Sequence, residues 1–281
     1  MNTIKVIILL ASLSGLLMVV GYFIARGRGV VIALIISLLM NFGSYWYSDA
    51  IVLGMYSAQP VTKSQAPVLY EIVETLSDKA DMPAPKIYII PENTPNAFAT
   101  GRDEDHAAVA VTSGILKILN KDELEGVIAH ELSHIKHMDI LISTVAATIA
   151  SAVVVVSNMA RWTAVMGGGG EDFGETVKLL ATAVIAPFAA TMIQMAISRS
   201  REYEADAGAA MVSGKPESLA SALAKLSISA KRSPMDANPS TAHMFIVNPL
   251  SGGTVMSLFS THPPPEERIA RLMKMKAVPL K

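Results

Sequence analysis

The 281-residue chain contains no cysteine. That excludes disulfides, thiolate metal ligands and a cysteine nucleophile, and it leaves nitrogen and oxygen donors for any metal. It fits a reducing compartment. Charge is also scarce: 17% of residues are Asp, Glu, Lys or Arg, against about 25% in a soluble domain. With a net charge of −1 and no basic patch, nothing points to nucleic acid as a partner.

Apolar residues fill the space that charge leaves. The chain is 51% hydrophobic, with a mean hydropathy of +0.42. The first tract, IKVIILLASLSGLLMVVGYFIA, covers 4–25. At roughly 20 residues it makes about 30 Å of helix, the thickness of a bilayer core. A signal peptide would have an apolar core of only about 7–15 residues. This tract is longer and runs through ARGRG into a second one, VVIALIISLLMNFGSYWYS at 30–48, so a retained transmembrane hairpin is expected. Tyr45, Trp46 and Tyr47 suit an interfacial aromatic belt. Two further tracts cover 139–162 and 177–198, joined by a polar, Gly-rich loop. Their Ala, Ser and Thr content suits close packing in lipid, and Pro187 should kink the last of them. Spanning is the expectation for this pair; a buried hairpin that only dips into the membrane is the alternative.

Between the two pairs the pattern changes. Leu69, Ile72, Val73 and Leu76 share one face of an amphipathic helix. KIYII (86–90) reads as a strand and AAVAVTSGIL (107–116) as a second strand followed by a helix start, with the turn-rich PENTPNAFATGRDEDH between them. Asn120, with Glu123 three residues on, forms a capping box for a helix that continues into VIAHELSHIKH. Beyond 198, RSREYEADAGAAMVSG reads as a helix ending at Gly214. A second amphipathic helix begins at Pro216, and THPPPEERIARLMKMK ends in a short terminal helix. The fold class expected is α+β, mostly helical. Residues 1–58 form the membrane hairpin, and a domain at 59–281 is interrupted by the apolar hairpin 139–198.

The chemistry sits in His130-Glu131-Leu132-Ser133-His134, an H-E-x-x-H pattern. Histidines at i and i+4 lie on one helix face, about a turn apart, where both can bind one zinc ion. Glu131 lies on the neighbouring edge, able to take a proton from a water that zinc has acidified. A catalytic zinc usually has three protein ligands and an open position. The extended pattern H-E-x-x-H-x-x-G-x-x-H fails, since His137 and Ile140 stand where its Gly and third His belong. The next candidate is RSREYEAD: Glu202 and Asp206 share a helix face, Glu202 as third ligand and Asp206 as acceptor from the second nitrogen of a ligand histidine. Glu204 points elsewhere. The histidine helix runs into the third apolar tract and the fourth runs out into the Glu202 helix. If both span, the two half-sites meet at one membrane face.

In combination and order, the N-terminal hairpin, AHELSH, SRSREYEAD and THPPPEERI resemble the HtpX-type membrane zinc metalloproteases, a gluzincin-like group whose superfamily includes the CAAX prenyl proteases. The resemblance covers nearly the whole chain. It implies one Zn2+ on His130, His134 and Glu202, Glu131 as general base and Asp206 behind the ligands. It also implies that Pro95–Ala99 offers an edge for an extended substrate, with Asn96 either a substrate contact or a turn residue. His262 and Arg199 are candidates to stabilise an oxyanion; a loop histidine and a headgroup anchor are the alternatives. The implied role is quality control: cleavage of misfolded or damaged membrane proteins in a bacterial-type inner membrane, the catalytic domain cytoplasmic, alongside other membrane quality-control proteases. Lys5, Lys63, Lys136, Arg199 and Arg201 on the catalytic side slightly outnumber Arg26, Arg28, Arg161 and Lys178 on the far side. The competing readings are a specific CAAX-type processing peptidase and a noncatalytic membrane scaffold with a structural zinc.

Overall fold

The structure is a computed structural model that describes residues 2–149, 199–232, 237, 241–247 and 263–276. Helical conformation runs through Asn2–Trp46 (α1), yet its two halves lie side by side. Asn41 Nδ2 donates to Leu10 O at 3.3 Å and to Ser14 Oγ at 2.9 Å. Residues so far apart in one straight helix would be separated by about 1.5 Å for each intervening residue. The chain therefore reverses, at Arg26, whose φ is +49°. The expected Gly/Arg turn is there, but it sits inside a helical run. Arg26–Trp46 is long and apolar enough to cross a membrane, and Val6–Val19 is a shorter apolar helical stretch. Ile32, Ile35, Leu38, Leu39 and Phe42 stand exposed along the second half.

After α2 (Ser48–Met55) the chain enters a four-stranded sheet of order β1-β2-β4-β3. The strands are β1 (Gln59–Pro60), β2 (Lys86–Ile90), β3 (Ala97–Gly101) and β4 (Ala107–Thr112). β2 and β4 are parallel; β1 pairs antiparallel with β2, and β3 with β4. β3 thus lies at one edge, inside the stretch that sequence pattern marks only as turn-rich. Its five residues are all buried, so no polar–apolar alternation announces it.

α3 (Pro67–Ala80) and α5 (Lys121–Lys136) pack on the sheet, with the short α4 (Ser113–Ile118) between β4 and α5. Leu69, Ile72, Val73 and Leu76 of α3 share one core with Val109 and Val111 of β4 and with Ile128, Leu132 and Ile135 of α5. The capping box closes as expected: Asn120 Oδ1 accepts from Glu123 N at 2.9 Å, and Glu123 Oε2 accepts from Asn120 N at 2.9 Å. α7 (Arg199–Ser213) and α8 (Pro216–Arg232) pack on α5, and α9 (Pro265–Lys276) packs on both of them. α7 ends before Gly214, whose φ of +71° only glycine adopts at little cost. A Cβ on Gly126 of α5 would come within 2.7 Å of Leu219 N, so glycine lets α8 approach this closely.

α5 does not continue into the third apolar tract. It stops at Lys136, Met138 turns left-handed with φ +58°, and a new helix, α6 (Asp139–Ile149), begins. Leu141, Ile142, Val145, Ala146 and Ile149 of α6 pack on Val6 and Leu13 of α1. The rest of the second apolar pair, its loop and His262 lie outside the described residues.

Candidate metal centre

Four apolar side chains set the rotation of α5. Val127, Ile128, Leu132 and Ile135 are fully or almost fully buried in the core. That turns His130, Glu131 and His134 toward a cleft bounded by Ala99 of β3, by Asp139 and Ile140 of α6 and by Glu202 of α7. α7 reaches α5 because Gly208 has no side chain: a Cβ there would lie 2.3 Å from Ser133 Oγ.

The expected ligand set converges. His130 Nε2 and His134 Nε2 are 3.2 Å apart, their rings nearly perpendicular at 89°. Glu202 Oε2 is 3.7 Å from His130 Nε2, and Oε1 is 3.5 Å from His134 Nε2. Donors at about 2.0–2.1 Å from one ion in tetrahedral array sit roughly 3.3 Å apart. The observed separations match that spacing. Two imidazoles and a carboxylate also form a donor set that suits zinc. Among the described residues, these three form a group able to hold a metal ion.

Glu131 stands beside them, 2% exposed. Its carboxylate accepts a hydrogen bond from the Ala99 N–H of the edge strand. Burial pushes it up to about 7, helped by the Glu202 carboxylate; His134, the Ala99 N–H and Arg268 pull the other way. A carboxyl group near neutrality can both take and return a proton at physiological pH.

Behind His130, Asp206 Oδ1 lies 3.1 Å from Nδ1. Arg268 of α9 grips Asp206 bidentately, Nε to Oδ2 at 2.9 Å and Nη2 to Oδ1 at 2.7 Å, and donates to Ile246 O at 3.0 Å. Burial alone would raise the Asp206 pKa, but Arg268 and the His130 hydrogen bond outweigh it and hold it down at about 2. His130 is lowered to about 4, first by burial and then by Arg268, so it is neutral at pH 7. Burial also disfavours charge on His134. The hydrogen bond it donates to Asp139 and the nearby Glu202 and Glu131 carboxylates win there, and its pKa is raised.

Other expected positions fall elsewhere. Asn96 is buried: its Nδ2 donates to Val247 O at 2.8 Å, and its Oδ1 accepts from Ala97 N at 3.1 Å. Its side chain thus ties the sheet edge to residues 241–247. Ile246 N likewise donates to Ala97 O at 3.0 Å. Arg199 opens α7 on an exposed face and does not line the cleft.

Four side chains around the centre escaped the sequence reading: Asp139, Arg201, His243 and Arg268. His243 lines the cleft and bonds Ser143 O at 3.2 Å. Arg268 left one signal: it shares a face of the terminal helix with Leu272, which is fully buried. An arginine on an apolar face needs a buried acid.

Comparison with known proteins agrees with this geometry. The family model described as Peptidase family M48 matches residues 63–276. A protein described as "Protease HtpX homolog" from Desulforapulum autotrophicum is 56% identical over 275 residues, 96% of this chain and 89% of that one. Another of that description, from Pyrococcus furiosus, is 54% identical over 271 residues, 95% of this chain and 94% of that one. Among solved structures, Ste24p of S. mikatae matches with a TM-score of 0.52 over 96% of this chain, at 18% identity. That match spans 65% of the Ste24p chain, and it is a likeness of fold alone.

Proposed function

The chain belongs to peptidase family M48, and we propose that this membrane metalloprotease holds one zinc ion on His130, His134 and Glu202 and hydrolyses polypeptides with Glu131 as general base. The observation that carries the reading is the spacing of the three donors, 3.2–3.7 Å, with the Glu131 carboxylate beside them. When bound, zinc supplies Lewis acidity, which acidifies water and polarises a peptide carbonyl. Glu131, steadied by the Ala99 N–H, takes the proton from the attacking water and hands it to the leaving amine. Asp206, fixed by Arg268, holds His130 so that its Nε2 lone pair faces the ligand group.

A noncatalytic scaffold would need a site closed by four protein ligands. Among the described residues the cluster supplies three, with the Glu131 carboxylate alongside.

The substrates in this reading are chiefly misfolded or damaged membrane proteins, and the enzyme works beside other membrane quality-control proteases. The exposed apolar faces of α1 support a place in the bilayer. Residues 1–58 then form a transmembrane hairpin with Arg26 and Arg28 at its outer turn. Residues 59–281 form the protease domain, cytoplasmic and interrupted by the second apolar hairpin at 139–198. α6 packed on α1 supports that arrangement. In the bacterial-type case the membrane is the inner one.

The test is paired, on detergent-purified protein: zinc content and casein cleavage, wild type beside Glu131→Gln. The expected result is about one zinc in both and cleavage in wild type alone. Near-full cleavage by Glu131→Gln would overturn the base assignment. Zinc in both with cleavage in neither would return the site to a structural role.

A further inference from the structure

The Asp206–Arg268 pair has a counterpart on the other histidine. Asp139 Oδ2 lies 3.3 Å from His134 Nδ1, and Asp139 Oδ1 lies 3.4 Å from Arg201 Nη1. Asp139 is 4% exposed and Arg201 9%. We propose that Asp139 is a positioning residue for His134, with Arg201 as its anchor; the proposal rests on His134 being a zinc ligand.

The backbone is bent to make this contact. In a continuous helix, residue 139 would sit five places beyond His134, about 140° around the axis, and could not reach its ring. Met138 in the left-handed region breaks the helix there, a conformation that is strained for a non-glycine residue. The turn swings the first carboxylate of α6 back over the last turn of α5. An Nδ1–H held by that carboxylate fixes the tautomer and directs the Nε2 lone pair toward Glu202. Arg201 directly precedes Glu202 on α7. One buried ion pair therefore joins the element that carries the third ligand to the group that aims the second. The two histidines take their aim from different elements: His130 through the terminal helix α9, His134 through the first residue of the apolar helix α6.

The test uses full-length, detergent-purified protein, with zinc affinity measured by competition against a chromogenic chelator and the absorption spectrum taken with cobalt(II) in place of zinc. Asp139→Ala should weaken zinc binding about 10–100-fold and change the cobalt spectrum. Arg201→Gln should weaken it several-fold, and Arg201→Lys should restore most of that loss. Wild-type affinity together with an unchanged cobalt spectrum in Asp139→Ala would overturn the proposal. If Asp139→Ala does not accumulate as folded protein, Arg201→Gln decides, and its binding zinc as tightly as wild type is the overturning result. Glu202→Ala separates the two levels: retention of wild-type zinc affinity there would sink the ligand assignment itself, and the role of Asp139 with it.

Discussion

Gly208 of α7 and Ser133 of α5 touch so closely that a single methyl group on the glycine would sit 2.3 Å from the serine hydroxyl oxygen and 3.2 Å from its Cβ. Ser133 lies between His130 and His134, so this contact sets how near Glu202 comes to them. Gly208→Ala should force the Ser133 hydroxyl out of its rotamer and destabilise the protein by about 1–3 kcal/mol. Adding Ser133→Ala should recover part of that loss, and Gly208→Val should be worse than either. Thermal melts of the four proteins check this. A Gly208→Ala protein as stable as wild type would mean the helices can slide apart at no cost.

Arg268 is almost fully buried against Asp206. Removing one member of a buried pair strands the other, at about 3–5 kcal/mol, whereas removing both is far milder. Arg268→Met should therefore lower stability by that amount and release zinc. Arg268→Met with Asp206→Asn should regain stability without regaining wild-type zinc affinity. Denaturant melts with zinc assays on wild type and the two variants measure both halves of the statement.

Glu123 gives the fold a pH dependence away from the metal centre. Burial works to raise its pKa, but hydrogen bonds from Lys225, the Asn120 N–H and Ser221 outweigh burial and hold it below the ordinary carboxylate value. A carboxyl depressed in the folded state contributes stability that is fully present above its unfolded value, near 4.5, and lost as pH falls through the lower folded one. Glu123→Gln should thus be less stable than wild type at pH 6–7, and the gap should close as pH drops below about 4.5. Parallel melting curves for the two proteins down to low pH would remove Glu123 from the account.

The absence of cysteine makes the membrane topology directly measurable, since any introduced thiol is the only one. With the hairpin turn outside and the protease domain inside, Gly27→Cys in intact cells should react with a membrane-impermeant maleimide and Lys63→Cys should not. Opening the cells should expose Lys63→Cys. The reverse labelling would invert the orientation proposed for the catalytic domain.

The metal centre was largely legible because its parts obey short-range rules. His130, Glu131 and His134 sit within one helical turn, and Glu202 and Asp206 within another, so period alone puts each set on a face. The capping box and the buried face of α3 were legible for the same reason. Asp139, Arg201 and Arg268 were not. They pair with groups far along the chain, as Arg201 does with Asp139 and Arg268 with Asp206, and no periodicity records such distances. β3 was hidden from pattern reading, because a fully buried edge, Ala-Phe-Ala-Thr-Gly, alternates nothing; only the family resemblance pointed to an edge strand or loop at Pro95–Ala99. The left-handed Met138 has no sequence signature at all, because glycine or asparagine is the usual occupant of that conformation.

Arg268 stands near the C-terminus, and His130 and His134 near the middle of the chain. At about 5–20 residues per second of synthesis, on the order of ten seconds separate the ribosome's addition of the histidine pair from its addition of the arginine that steadies Asp206. During that interval the growing chain holds a base and two imidazoles but not the packed terminal helix. In this order of synthesis the Asp206–Arg268 pair is the last of the described contacts behind His130 to be made. Both apolar pairs and the histidine helix have therefore been synthesised before that pair can form.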